Sequence, residues 1–151
     1  MEIRQNHIKE CDSTQTELAQ KRSEFSEETT FLISTSKQTN GKGRRGNTWK
    51  QPSTALAFSF NLRPQDPLTL TPLELSLLVS RFFQDFYQRK LLLKWPNDLL
   101  NEKREKVGGI LSQNGRGQIL TGIGLNLLPD NELRDLPYPA GGIFNELPAP
   151  I

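Results

Sequence analysis

The stretch Gly41-Lys-Gly-Arg-Arg-Gly46 constrains the fold more than any other, because of what stands on either side of it. Before it, Phe31-Leu-Ile-Ser-Thr-Ser36 is apolar and β-branched, so Thr29 to Ser36 reads as a strand. After it, Leu56, Phe58, Phe60 and Leu62 alternate with Ala55, Ala57, Ser59 and Asn61, which predicts a strand over 54–62. A glycine-rich loop between two strands excludes two familiar readings. The spacing matches G-x-G-x-x-G, but that dinucleotide fingerprint needs a helix directly after the loop to receive the pyrophosphate. Gly41-x4-Gly46-Asn47-Thr48 misses a Walker A loop by one residue, with Asn47 where the phosphate-reaching lysine belongs. The glycines let the backbone approach a ligand closely, and Lys42, Arg44 and Arg45 place cations there without any acid from Thr39 to Trp49. An anion-holding loop, for phosphate or carboxylate, is the functional reading; a solvated basic turn is the plainer one.

The chain has 151 residues, enough for one domain with a real core. A net charge of +2 makes the basic loop a local feature and gives little help to a nucleic-acid-binding reading. No apolar run approaches the ~18 residues of a membrane span, and Met1 to Glu10 lacks an apolar signal core. Cys11 is the only cysteine, which rules out an internal disulfide and suggests a reducing compartment, the cytoplasm. His7 is the only histidine, so neither a Cys–His nucleophile nor a zinc site is expected, and no metal ligands are assigned. Chemistry in this chain falls to arginine, lysine and aspartate.

Several further segments carry chemistry. Thr14 with Glu17 forms a capping-box pattern that predicts a helix through about Ser23, leaving the Ser13 and Thr14 hydroxyls at its start. Arg63 to Pro67 reads as a turn, then Thr71, Pro72 and Glu74 open an amphipathic helix over 72–89. Its Leu75, Leu78 or Val79, Phe82 and Phe86 read as core. Leu91 to Leu93 reads as a buried strand running into Lys94, whose ammonium needs a partner, with Asp98 the nearest candidate across the Pro96 turn. Asn101 to Glu105 is a charged hairpin tip, and Lys106 to Ser112 a strand whose glycines suggest a close approach. Asn114-Gly115 signals a hairpin turn into a strand over 118–128. There Gly122, Gly124 and Asn126 share one face, leaving a slot free of large side chains. The proline-rich tail from Pro129 to Ile151 reads as irregular.

Ser13-Thr14, Gln38 with Gly41–Gly46 and Trp49, Lys94-Trp-Pro-Asn-Asp98, Lys106-Val-Gly-Gly-Ile-Leu111 and Gly122-x-Gly-x-Asn126, in this order, resemble the biotin protein ligases, relatives of the lipoate ligases. The resemblance covers roughly residues 8 to 128. It implies an α+β fold, with a mixed, mostly antiparallel sheet packed by helices on one face, as a single catalytic domain over 1–151. It also implies a two-step reaction. Biotin and MgATP give biotinyl-5′-adenylate and pyrophosphate, and the adenylate passes to a lysine of a carboxylase's biotin carboxyl carrier domain. Neither nucleic acid nor membrane is an expected partner, and a homodimer is left open.

By the same resemblance, Ser13, Thr14 and Gln38 hold biotin's ureido end, and Gly109 and Gly122 line its slot. Gly41 belongs to the loop that closes over biotin, where Arg44 meets the reacting carboxylate and phosphate and Lys106 neutralises them. Lys42, Arg45, Trp49, Lys94, Asp98 and Asn126 serve the ATP or adenylate side, with Asp98 orienting a metal or a lysine. Lys42 and Asn47 depart from the arginines usual there, and Arg104 rivals Lys106 for its role. The family's C-terminal helices and small β-barrel, and the N-terminal helix-turn-helix of some members, are not expected within this sequence. The expectation that follows is biotin binding with slow adenylation. A lipoate ligase-like acyltransferase and a non-catalytic biotin-binding remnant are the alternatives.

Overall fold

A computed structural model describes residues 2–26, 28–63, 70–115 and 117–149; the turn expected over 63–67 lies outside the described residues from 64 onward. The chain runs β1 (Glu2–Cys11), α1 (Thr14–Gln20), β2 (Thr29–Gln38), β3 (Gly41–Lys42), β4 (Thr48–Trp49), β5 (Ala55–Leu62) and α2 (Thr71–Tyr87). It continues through β6 (Leu92–Lys94), β7 (Asp98–Leu100), β8 (Lys106–Gly115) and β9 (Gln118–Asn126). A seven-stranded sheet has the order β1-β2-β5-β9-β8-β7-β6, and β3 pairs with β4 in a separate two-stranded ribbon. Only β1 and β2 run parallel, joined by the α1 crossover; every other pair in the sheet is antiparallel. The mixed, mostly antiparallel sheet matches expectation.

The two faces of the sheet are built for different work. The register places Phe58 opposite Ile123 and Ile123 opposite Ile110, so these side chains share one face. They join Phe83, Leu91, Leu99, Val107 and Leu125 in a core under α2. On the other face, Leu18 of α1 packs with Phe31, Ile33 and Leu120. That face continues through Ala57, Ser59, Gly109, Gly122 and Gly124, residues too small to fill it, which leaves a trough. The helices therefore divide between the faces. α2 covers one, as expected of the family, while short α1 sits on the other and sets the end of the trough.

Helix starts and stripes differ from expectation in ways that bear on the site. Ser13, not Thr14, caps α1, its Oγ accepting from Gln15 N–H at 3.2 Å. Thr14 is thereby free to bond elsewhere. Thr71 is the first residue of α2 and makes no cap, and the helix ends in a left-handed Gln88 (φ 51°). Its core-facing stripe is the buried Phe83 with the partly buried Leu75, Val79 and Tyr87, whereas Phe82 and Phe86 are 45% and 56% exposed. Over its described residues the tail is irregular apart from a 3₁₀ turn at Asn131–Leu133, yet Leu133, Ile143 and Phe144 are buried. No helix among the described residues is long and apolar enough to cross a membrane.

Candidate active site

The trough opens into a cleft of about 820 Å³ between the 41–49 loop, the start of α1, the β6–β7 turn and the tail. Its inner end is neutral and hydrogen-bonded. Gln38 Oε1 accepts from Thr14 N–H at 2.7 Å and from the Thr14 hydroxyl at 3.0 Å, and Thr14 Oγ1 lies 2.8 Å from Ser59 Oγ. Ser13, Thr14 and Ser59 are buried. A β-carbon on Gly122 would stand 2.9 Å from Gln15 Oε1 and 3.1 Å from Ser59 Oγ, so only glycine keeps the floor open there. Gln15 is itself buried, its Nε2 donating to Leu120 O at 2.9 Å and to Gln113 Oε1 at 3.3 Å. Its Oε1 has no partner among the described residues. A ligand donor is what such an acceptor lacks.

The outer end is cationic. Lys106 Nζ lies 2.6 Å from Asp98 Oδ1, across the β7–β8 ladder where Asp98 faces Gly109. The expected Lys94–Asp98 ion pair does not form. Lys94 is register partner to Asp98 but its side chain is exposed to water, so it needs no counter-ion, and the carboxylate serves Lys106 instead. Lys42, Arg44 and Arg45 line the cleft, and none is ion-paired with another described residue. Their loop turns through a short 3₁₀ segment, Arg44–Gly46, in which Arg45 and Gly46 both have positive φ, 54° and 80°. The ribbon pairs Gly41 with Trp49, and a β-carbon at Gly41 would lie 2.6 Å from Trp49 O. Beyond it, Gln51 closes the loop: its Oε1 accepts from Gln38 N–H at 2.9 Å and its Nε2 donates to Ser36 O at 2.8 Å. The Trp49 ring lies along the trough floor, 2.9 Å from where a Gly124 β-carbon would sit.

The cleft thus gathers Ser13, Thr14, Gln38, Lys42, Arg44, Arg45, Trp49, Asp98, Lys106, Gly109 and Gly122 from separate segments along the sequence. Three expected site residues do not line it. Gly41 packs against Gln38 and Trp49, and Lys94, though opposite Asp98 in the β6–β7 ladder, is exposed and outside the cleft lining. Asn126 is buried, donating from Nδ2 to Gly141 O at 3.2 Å. Sequence reasoning missed Gln15, Ser59, Trp95, Asn97 and the tail's Tyr138, all of which line the cleft. Ser59 was legible as the polar inward member of an alternating strand. Tyr138 had no signal in an aperiodic tail.

A neutral, donor-and-acceptor-lined slot running into a cluster of cations defines a site for a small molecule with a polar head and an anionic end. The sequence matches the family model for the biotin/lipoate A/B protein ligase family over residues 8–130, and the chain belongs to that family. It is 36% identical over 106 residues to biotin–protein ligase 2 of Arabidopsis thaliana, covering 63% of this chain and 32% of that protein. The fold is similar to that of the biotin acetyl coenzyme A carboxylase synthetase of Helicobacter pylori, solved with bound biotinylated ATP, with a TM-score of 0.77 and 31% identity. That match covers 87% of this chain and 64% of the Helicobacter chain. The biotin protein ligase of Aquifex aeolicus, in complex with biotin and ATP, gives a TM-score of 0.70 and 33% identity, covering 89% and 55%. The chain spans about a third of the length of the curated relatives it matches first, from 28% to 40%.

Proposed function

We propose that this chain is the biotin- and ATP-binding part of a biotin protein ligase, activating biotin as biotinyl-5′-adenylate and passing it to a carrier-domain lysine. The observation that carries the reading is the polarity of the cleft: buried neutral hydrogen-bonding groups at one end, and at the other Lys106 beside Lys42, Arg44 and Arg45, the last three without ion pairs among the described residues. A ureido head has two N–H donors and one carbonyl acceptor. Gln15 Oε1 and the Ser13, Thr14 and Gln38 groups are complementary to it, whereas a dithiolane ring offers no donor, which favours biotin over lipoate.

In the first step a biotin carboxylate oxygen attacks the α-phosphorus of MgATP and pyrophosphate leaves. Two anions must meet, so the chain's task is to hold them in line and offset their charge. Lys106, fixed by Asp98, and Arg44 from the loop face the place where the carboxylate would emerge from the slot. Lys42, Arg45 and Trp49 bound the nucleotide side. Magnesium enters with the nucleotide as part of the substrate. In the second step the carrier lysine's amine attacks the acyl carbon, AMP leaves and an amide forms; no protein nucleophile is needed. From outside the cleft, Gly41 lets the loop close and Asn126 holds the tail. The acceptor would be the biotin carboxyl carrier domain of a biotin-dependent carboxylase, and the setting the cytoplasm. A homodimer is compatible with this arrangement. Calorimetry with biotin and with lipoate tests the first claim: biotin should bind and lipoate should not, and lipoate binding as well as biotin would overturn it.

A further inference from the structure

The tail, aperiodic in sequence, closes directly on Lys106. Lys106 N–H donates to Pro139 O at 2.8 Å and Gly141 N–H donates to Lys106 O at 3.0 Å, so residues 139–141 lie as a short parallel bridge beside the start of β8. Gly141 is moored in turn by Asn126 Nδ2, which donates to its carbonyl. This bridge delivers the Tyr138 ring over the Lys106 ammonium, 5.2 Å from the ring centroid and within cation–π range. Lys106 is therefore held from two sides, by Asp98 Oδ1 at 2.6 Å and by an aromatic face.

We propose that Tyr138 is a positioning residue for Lys106, confining its ammonium at the mouth of the slot while leaving its charge and its other N–H donors for the substrate. This rests on the reading of Lys106 as the cation that meets the reacting carboxylate and phosphate. The physical distinction is from a second carboxylate, which would confine the ammonium equally well but cancel its charge. An aromatic face attracts the cation without carrying a net charge. The mooring also gives the buried Asn126 a purpose, although it does not line the cleft.

The test compares Tyr138→Phe and Tyr138→Leu with the parent chain by biotin calorimetry, by biotin-dependent pyrophosphate exchange, and by the Lys106 side-chain resonance in lysine-labelled protein, assigned with Lys106→Arg. Leucine should slow exchange about tenfold through looser placement, leave biotin affinity within about twofold, and abolish the upfield ring-current shift of the Lys106 ε-protons. Phenylalanine should retain both the rate and the shift. Full exchange activity in Tyr138→Leu, or a rate as low in Tyr138→Phe as in Tyr138→Leu, would overturn the proposal. Should the parent itself show no biotin-dependent exchange while the ring-current shift follows the substitutions as described, the functional reading fails and the catalytic role of Tyr138 with it, leaving only the contact.

Discussion

Lys106 and Arg104 stand two residues apart, but the backbone sends them to different places. Arg104 occupies the tight turn before β8 with φ 63°, its N–H donating to Asn101 O at 2.9 Å, and its side chain does not line the cleft. Lys106 begins the strand and reaches Asp98 inside the cleft. Loss of the Lys106 or Arg44 side chain to alanine should each slow adenylate formation by about 100-fold or more, the scale of removing one electrostatic stabiliser. Arg104→Ala should change it by less than about threefold, since the residue touches no reacting group. Rates for the three variants, measured by pyrophosphate exchange, check the assignment; a defect in Arg104→Ala with a healthy Lys106→Ala would reverse it. Gly122→Ala should weaken biotin binding more than it lowers stability, because the added methyl enters the slot beside Gln15 and Ser59 rather than the core. Calorimetry and a thermal melt on the same sample separate the two effects.

At the scale of elements, the 41–49 loop and the tail behave differently. The loop is anchored by Gln51 behind Gln38 and by the two-stranded ribbon, while its cations at Lys42, Arg44 and Arg45 have no counter-ions within the described chain. Amide exchange over 42–48 should slow when biotin binds, as the loop gains the anionic partner it lacks. Equal exchange with and without biotin would contradict this. The tail is pinned to the loop before β5 by Asp130, which accepts from Ser53 N–H at 2.8 Å, the Ser53 hydroxyl at 2.7 Å and Glu132 N–H at 2.9 Å. Those donors hold its carboxyl at about 2, below the ordinary 3.8. A depressed folded-state pKa stabilises the fold above the unfolded value, and that stability is lost as pH falls from about 4 toward 2. Asp130→Asn should therefore melt earlier than the parent at neutral pH, and the gap should narrow steadily below pH ~4. A gap that does not change with pH would rule out the charge as its source.

The whole molecule shows why some of this could be read from sequence and some could not. β5 buries one face against α2 and the other lines the trough, so period-two alternation exposed it, while the Asn114-Gly115 turn located β8 and β9 and the two-residue period of β9 indicated the glycine floor. β1 escaped notice because it is an edge strand whose residues are almost all exposed, leaving no apolar alternation to read. In α2 the run Leu75 to Tyr87 is apolar on adjacent stripes, and spacing alone could not choose Phe83 and Tyr87 over Phe82 and Phe86 for the core. The motifs located most of the cleft, since Ser13, Thr14, Gln38, the basic loop, Lys106 and Gly122 do converge. Pairings were harder: Asp98 sits opposite Lys94 in the ladder, but the side chain of Lys106 from the next strand claims it. Contacts made by an aperiodic tail, such as Tyr138 on Lys106, depend on tertiary placement that no local pattern encodes.

Biotin activation at Lys106 is tested most directly by biotin-dependent exchange of pyrophosphate into ATP by residues 1 to 151, run beside Lys106→Ala and beside lipoate in place of biotin. Exchange above background is expected with biotin, reduced about 100-fold in Lys106→Ala, and none with lipoate. Exchange that proceeds equally with lipoate, or that persists unchanged without the Lys106 side chain, would contradict it.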